Sequence, residues 1–120
     1  MIVVVLGLPG TGKTTIARKI GNELNAPVLT TDEIRKTESK QPKYTKRRKQ
    51  SIYENMFRRA GDLLSEKEHI ILDGTFFKKD LRERSFKLGS DHDRCVFFLE
   101  TVCDEAVVKE RIEKRYQENK

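Results

Sequence analysis

A glycine-rich stretch near the start of the chain has the residue types and spacing of a phosphate-binding loop. Gly7 is followed by Gly12, Lys13 and Thr14 in the pattern Gly-x-x-x-x-Gly-Lys-Thr. The glycines let the main chain approach phosphate oxygens, so that successive N–H groups form a concave anion site. Lys13 supplies positive charge for the β and γ phosphates, and the Thr14 hydroxyl can bind Mg²⁺. The residues predicted to hold a nucleotide are Gly7, Pro9, Gly10, Thr11, Gly12, Lys13, Thr14 and Thr15.

A carboxylate and an arginine three residues apart form a second candidate site. Asp32 and Arg35 follow a short apolar segment and share one face at the start of a predicted helix. The carboxylate could orient or deprotonate a substrate hydroxyl, and the guanidinium could hold an anionic group on the same substrate. We therefore predict that Asp32 is catalytic and that Asp32 and Arg35 bind the substrate.

A third set of polar residues follows the apolar run "HIILDG". Asp73 lies at the end of this run, where an acidic group in a P-loop fold supports Mg²⁺ directly or through water. We predict that Thr14 and Asp73 hold the metal. Thr75 offers a further hydroxyl, and Arg82 follows on the next predicted helix, so both are predicted to bind the substrate.

Two arginines near the end of the sequence are candidates for charge stabilisation. Arg111 and Arg115 are four residues apart, on one face of a predicted last helix. Two aligned guanidiniums near a γ phosphate would neutralise the charge that develops during phosphoryl transfer. A solvated basic helix surface is the alternative interpretation. We predict that both arginines are catalytic together with Lys13.

Short apolar runs alternate with longer amphipathic stretches, and this order positions the candidate residues. The predicted strands are Ile2–Leu6, Pro27–Thr30, His69–Gly74 and Cys95–Glu100. The predicted helices are Thr14–Leu24, Thr31 or Asp32 through Lys36, Lys46–Glu66, a helix through Leu88 that the capping box Asp80-x-x-Glu83 opens, and a last helix capped by Asp104. This alternation predicts a parallel α/β sheet with helices on both faces, which brings strand ends and their polar residues to one edge.

Length and composition limit the classes of protein to consider. The 120 residues are enough for one domain, spanning 1–120. The net charge of +6 admits a nucleic acid or a small anionic substrate, although a solvated basic surface is the favoured explanation. No apolar run approaches the length of about 18 residues that a membrane span needs, and the first apolar run lacks a basic leader. Cys95 and Cys103 fit reduced thiols. We expect a cytoplasmic protein without a membrane partner.

Four segments taken together resemble the small P-loop kinases of the polynucleotide-kinase and zeta-toxin-like group. They are "VVVLGLPGTGKTTIARKI", "TTDEIRK", "HIILDGTFFKKDLRERSF" and "CVFFLETVCDEAVVKERIEKR". The resemblance covers nearly the whole chain and implies ATP and Mg²⁺ as cofactors. Members of this group phosphorylate hydroxyls on nucleic-acid ends, sugars, antibiotics or other metabolites. Similarity to phage polynucleotide kinase implies that Asp32 and Arg35 handle the acceptor hydroxyl and its neighbouring phosphate, and that Arg111 and Arg115 are lid arginines.

The end of the sequence departs from the pattern of this group. Members usually continue into a fifth strand and a loop beside the adenine, whereas this sequence ends at Lys120. We therefore expect an α/β fold, a three-layer parallel sheet with P-loop NTPase topology of the nucleoside-kinase-like kind, apparently lacking the last strand. The domain would be either C-terminally truncated or a minimal version. An uncovered sheet edge would leave room for a second copy, so both a monomer and a homodimer are open.

The function predicted from these residues is ATP- and Mg²⁺-dependent transfer of the γ phosphate to a substrate hydroxyl, which could be a nucleic-acid 5′-hydroxyl. Three alternatives stay open. The acceptor could be a small molecule such as a sugar, a nucleoside or an antibiotic. The chain could bind nucleotide or hydrolyse ATP without transfer, with the basic segment Lys43–Gln50 contacting nucleic acid. It could also be a fragment without catalytic activity.

Overall fold

Nine helices and strands make up the computed structural model, which describes residues 1–8, 12–37, 46–104 and 107–115. In chain order they are β1 (Ile2–Leu6), α1 (Lys13–Leu24), β2 (Val28–Thr30), α2 (Thr31–Thr37), α3 (Lys46–Leu64), β3 (Ile70–Gly74), α4 (Lys79–Asp91), β4 (Val96–Asp104) and β5 (Val107–Arg115). The first eight follow the predicted order, and their ends differ from the predicted ends by a few residues.

The strands form one sheet in the order β2-β3-β1-β4-β5. β1 lies at the centre, parallel to β3 on one side and to β4 on the other, with Ile2 opposite both Ile70 and Val96. Parallel pairing joins β2 to β3 as well. Because these four strands run in the same direction, their carboxyl ends share one edge of the sheet, as the sequence predicted.

Both faces of the sheet are covered, which explains why β1 is an unbroken aliphatic run. Successive side chains of a strand point to opposite faces. Val3 and Val5 pack with Ala17 of α1 on one face. Ile2 and Val4 pack on the other face against residues of α2, α3 and α4. The predicted three-layer α/β arrangement is confirmed.

The segment after β4 is a strand, so the prediction of a last helix capped by Asp104 is wrong. Asp104 is the final residue of β4 and lies opposite Val107 in an antiparallel pair. β4 would otherwise present a row of unpaired N–H and C=O groups at the edge of the sheet, and β5 pairs with them. This pairing with the preceding strand overrides the helical spacing of Val108 and Ile112. The fifth strand is therefore antiparallel, and the described residues contain no further parallel strand.

The starts of α2 and α4 differ in whether a side chain caps the helix. Thr30 caps α2, because its Oγ1 accepts a hydrogen bond of 3.0 Å from the Glu33 N–H. The predicted capping box at Asp80 is wrong, since α4 begins one residue earlier and its N-cap, Lys78, makes no side-chain capping bond. Within the described ranges, no helix has both the length and the apolar character that a bilayer span requires.

Candidate active site

The glycine-rich loop leaves β1 at a place where only glycine fits. Gly7 has a φ of +145°, and a Cβ on it would lie 2.6 Å from the carbonyl oxygen of Thr101 and 2.7 Å from its Oγ1. Thr101 is buried in β4, next to the end of β1. The first glycine of the motif therefore lets the main chain cross close to the neighbouring strand.

Gly12 ends the loop and begins α1. It is the N-cap of the helix with a φ of +84°, and its carbonyl oxygen accepts a 3.1 Å bond from the Ile16 N–H. The free N–H groups of the first turn and the positive end of the helix dipole favour an anion at this point. Pro9, Gly10 and Thr11, also predicted to contact the nucleotide, lie outside the described residues. Thr15 is exposed in the first turn.

Lys13, Thr14 and Asp73 meet at the edge of the sheet. The Thr14 hydroxyl donates a 2.8 Å hydrogen bond to Asp73 Oδ2, and Lys13 Nζ lies 3.5 Å from Oδ1. The contact forms because Asp73 lies opposite Val5 in the parallel pair, one residue short of the end of each strand. The residues predicted to hold phosphate and metal are thus adjacent.

Asp73 is a buried carboxyl in an unusual electrostatic setting. Its side chain is 2% exposed, and burial raises the pKa of Asp73 above its ordinary value. The Thr14 hydrogen bond and the positive charge of Lys13 lower the pKa and partly offset this effect, whereas the charge of Asp32 adds to it. Among the described residues, Asp73 Oδ1 accepts no hydrogen bond. A buried carboxylate oxygen that has an ion-pair contact with Lys13 at 3.5 Å but accepts no hydrogen bond of good geometry, beside a threonine hydroxyl, suits a hard divalent cation such as Mg²⁺.

A cavity of about 290 Å³ opens beside this cluster. Its walls come from the start of α1, the start of α2, one face of α3 and the end of β3. The lining residues are Gly12, Lys13, Thr14, Thr15, Thr31, Asp32, Arg35, Lys49, Tyr53 and Thr75. The structure therefore brings the phosphate loop together with three of the four predicted substrate residues, in a cavity lined with hydroxyl and charged groups.

Asp32 and Arg35 form a pair on the α2 side of the cavity. Arg35 Nη2 donates to Asp32 Oδ1, and the two side chains are 35% and 61% exposed. The neighbouring Glu33 is instead held by Arg18 of α1, at 3.3 Å. Adjacent carboxylates on one short helix thus have different partners, and only Asp32 lines the cavity.

Thr75 is joined to α3 through Tyr53, which is not among the predicted site residues. The Tyr53 hydroxyl lies 3.2 Å from Thr75 Oγ1 and accepts a 3.0 Å hydrogen bond from the Phe76 N–H. Phe76 is fully buried and has a φ of +49°, a left-handed conformation that costs a non-glycine residue about 1 kcal/mol or more. Tyr53 was detectable in principle, because a tyrosine among the core residues of a helix needs a partner for its hydroxyl.

Arg82 lies elsewhere and does not line the cavity. Its Nη1 donates 2.8 Å hydrogen bonds to the carbonyl oxygens of Phe76 and Phe77. It lines a different cavity, of about 340 Å³, between α4 and the ends of β1 and β4. Arg82 therefore fastens the loop between β3 and α4, and the structure does not bring it to Asp32 and Arg35.

Arg111 and Arg115 occupy different ends of β5. Arg111 lies opposite Glu100, the residue that pairs with Leu6 just before the glycine-rich loop. Arg115 lies opposite Val96, which pairs with Ile2 at the amino ends of the parallel strands. Four strand residues span about 13 Å, whereas four helical residues span about 6 Å. The prediction that a helix aligns the two arginines is therefore corrected: only Arg111 lies at the level of the phosphate loop.

The sequence matches the AAA domain family over residues 2–120. The chain belongs to this family. The AAA domain also resembles an uncharacterised protein of Mycobacterium tuberculosis (strain ATCC 25618 / H37Rv) and one of Mycobacterium bovis, each at 28% identity over 126 aligned residues. Each alignment covers 90% of this chain and 25% of the relative, so the chain spans about a quarter of the length of these relatives.

Solved structures of low sequence identity share the fold of this AAA domain. A chain of a Pnkp1/Rnl/Hen1 complex matches with a TM-score of 0.70 and 16% identity, covering 99% of this chain and 42% of that one. The APS kinase CysC of Mycobacterium tuberculosis matches with a TM-score of 0.68 and 21% identity, covering 87% and 75%. The fold of the AAA domain is that of the small P-loop kinases.

Proposed function

We propose that this AAA domain transfers the γ phosphate of ATP, with Mg²⁺, to a hydroxyl group of a second substrate. The observation that carries the proposal is the placement of two functional groups across one cavity. Lys13 and Thr14, which both contact the buried Asp73, lie on one side, and the Asp32–Arg35 pair lies on the other. This arrangement gives an incoming hydroxyl both a carboxylate that can take its proton and a guanidinium that can hold an anionic group beside it.

The residues divide the work of the reaction as follows. The loop amides and Lys13 would hold the phosphates and withdraw charge from the γ phosphoryl group. Asp32 would orient the acceptor hydroxyl and take its proton, and Arg35 would hold Asp32 in place and bind an anionic group on the acceptor. Because phosphoryl transfer needs little covalent help, positioning and charge stabilisation supply most of the rate enhancement.

Thr14 and Asp73 would hold the magnesium ion. The fit rests on the buried Oδ1 of Asp73, which accepts no hydrogen bond from the described residues, and on the adjacent Thr14 hydroxyl. A bound Mg²⁺ supplies charge neutralisation on the β and γ phosphate oxygens. The positive charge of the ion would also favour the ionised form of Asp73, against the effect of burial.

Arg111 is the further candidate for stabilising the γ phosphate. It supports the proposal through its place opposite Glu100, at the level of the phosphate loop. Arg115, at the level of the amino ends of the parallel strands, is left out of the proposed site.

Transfer of labelled phosphate tests the proposal. Wild-type protein is incubated with γ-labelled ATP, Mg²⁺ and a short oligonucleotide with a 5′-hydroxyl, and in parallel with a panel of sugars and nucleosides. We expect label in one acceptor. Lys13→Ala should reduce the transfer rate at least a hundredfold, because it removes the charge that the γ phosphoryl group needs. Transfer that survives in Lys13→Ala contradicts the assignment of the phosphate site.

Asp32 has a matched control in its neighbour Glu33. Asp32→Asn removes the base facing the cavity, and we expect a loss of about 100- to 10,000-fold in kcat with nucleotide affinity kept. Glu33→Gln removes an equally exposed carboxylate that pairs with Arg18 instead, and transfer should stay within about twofold. Equal losses in the two variants would mean that α2 supplies only surface charge.

The acceptor that receives the labelled phosphate distinguishes the nucleic-acid hypothesis from the small-molecule hypothesis. The Asp32–Arg35 pair and Lys49 in the same cavity favour an acceptor that carries a phosphate or another anion, such as a nucleic-acid end. Transfer to an uncharged sugar or nucleoside alone would favour the small-molecule alternative. ATP hydrolysis with no labelled acceptor in either panel would favour the nucleotide-binding module without transfer.

A further inference from the structure

The hydroxyl of Tyr53 links the wall of the cavity to a strained turn at the end of β3. Tyr53 is 7% exposed and lies on α3, while Thr75 and Phe76 follow directly after β3. Its oxygen lies within hydrogen-bond distance of both the Phe76 amide and Thr75 Oγ1. In the first contact the Tyr53 oxygen must accept a hydrogen bond, whereas in the second it can donate or accept one.

One of the two hydrogen bonds has a fixed direction, and the other can run either way. The Phe76 N–H can only donate, so the Tyr53 oxygen accepts from it. The hydrogen of the tyrosine then needs an acceptor of its own. Within the described part of the chain, Thr75 Oγ1 is the remaining polar atom within hydrogen-bond distance of the Tyr53 oxygen. The geometry fits Tyr53 as the donor to Thr75, and in that arrangement the hydrogen of Thr75 is left to point elsewhere.

We propose that Tyr53 is a positioning residue that makes the Thr75 hydroxyl a hydrogen-bond donor into the cavity. This inference rests on the proposed function. It deepens that function by specifying that the substrate group bound at Thr75 presents an oxygen lone pair, as a phosphoryl, carboxylate or deprotonating hydroxyl oxygen does. A substrate N–H or ammonium group at that point would leave the Thr75 hydrogen without an acceptor and would compete with Tyr53 for the lone pairs of Thr75 Oγ1.

A set of four variants measures the coupling between the two hydroxyls. With γ-labelled ATP and the 5′-hydroxyl oligonucleotide, or with water as acceptor if no oligonucleotide is labelled, we expect Thr75→Val to lower kcat by roughly 10- to 100-fold. Tyr53→Phe should lower it by a similar factor with the KM for ATP unchanged. The double variant should be no slower than the slower single variant, and Thr75→Ser should keep most of the activity. Effects that multiply in the double variant overturn the proposal.

Phe57→Leu is the matched control for a purely structural effect. Phe57 and Tyr53 both lie on α3, and both contact the ring of Phe76 edge to face, at 6.3 Å and 5.1 Å between centroids. Phe57→Leu loosens Phe76 without touching a hydroxyl. It should lower stability but keep kcat within about threefold, and a loss of kcat as large as that of Tyr53→Phe would overturn the positioning role.

Neutron diffraction on the perdeuterated protein gives a reading that needs no activity. We expect the deuteron between the two oxygens to belong to Tyr53, with the Thr75 deuteron directed into the cavity. A deuteron on Thr75 that points at Tyr53 contradicts the proposal. If wild-type protein transfers phosphate neither to an acceptor nor to water, the proposed function fails, and the deuteron positions still decide the assignment of Tyr53.

Discussion

Asp73 is a residue of the candidate site whose charge lowers the stability of the folded protein. The carboxyl is buried beneath the phosphate loop, and its two polar neighbours, Thr14 and Lys13, only partly compensate for the loss of water. Ionised Asp73 therefore destabilises the free protein, as active-site charges often do. The same burial leaves Oδ1 available for a cation.

Asp73→Asn should raise the stability of the free protein at neutral pH. The pKa of Asp73 is higher in the folded than in the unfolded state, so the native state binds the proton more tightly and stability falls as pH rises through that pKa. Asparagine removes the charge and still accepts the Thr14 hydrogen bond. Urea unfolding should show the variant to be more stable than wild type at pH 7, with the difference shrinking as the pH falls toward about 4. A difference that does not change with pH would contradict the role of burial.

Individual residues were predictable from sequence where a spacing carries its own chemistry. Lys13, Thr14 and Asp73 were selected because a phosphate loop and a strand end require those types, and the structure places them within hydrogen-bond or ion-pair distance. Tyr53 was not selected, because its role comes from a contact with Phe76 across 23 positions of sequence. Arg82 was predicted to bind the substrate because it lies close in sequence to the predicted site. In the structure its partners are backbone carbonyl oxygens instead.

At the level of elements, Arg82 fastens α4 to the end of β3. Arg82→Ala removes two 2.8 Å charge-assisted bonds to the carbonyls of Phe76 and Phe77, and we expect a loss of about 1–3 kcal/mol in the free energy of unfolding. Arg84→Ala is the control. Arg84 lies over the Phe57 ring and 3.9 Å from Glu54, is 45% exposed, and should cost less than about 1 kcal/mol.

Urea unfolding of both variants, with kinetics alongside, separates the two roles of Arg82. An unchanged unfolding free energy with a raised KM for the acceptor would restore the substrate-binding role that the sequence predicted. A loss of stability larger than that of Arg84→Ala would support the fastening role.

The position of β5 at the end of the strand order predicts a distinctive pattern of hydrogen exchange. In an edge strand, only every second N–H faces the neighbouring strand. Along Val107–Arg115 we therefore expect slow and fast amides to alternate in an NMR exchange experiment, with β1 protected at every position. Continuous protection along the segment would instead indicate the helix that the spacing of Val108 and Ile112 suggested.

The elements differed in how well sequence predicted them. β1, β3 and the first half of β4 are apolar runs, so their existence followed from composition, and the helical periods of α1 and α3 were equally clear. β5 could not be predicted, because Lys, Glu and Arg residues there favour a helix locally. Its state depends on the open edge of β4, and that edge exists only once the sheet has formed.

At the level of the whole molecule, the binding of nucleotide should stabilise the fold. A ligand that binds only the native state adds about 2.7 kcal/mol when its concentration is a hundred times its Kd. Mg²⁺–ATP should therefore raise Tm in thermal unfolding of wild-type protein, and Lys13→Ala should lose most of this shift because the phosphates lose their charge partner. An equal shift in both proteins would mean that the nucleotide binds elsewhere.

The central position of β1 affects how the protein is made. β1 is synthesised before the other four strands of this sheet, and its partners Ile70 in β3 and Val96 in β4 arrive long after Ile2. At about 5–20 residues per second, the last of them follows roughly 5 to 20 seconds later. During that interval the most aliphatic segment of the chain has no strand to pair with, and contacts of such long sequence separation form slowly. The nascent domain is therefore expected to depend on chaperones, and to aggregate when it is overproduced.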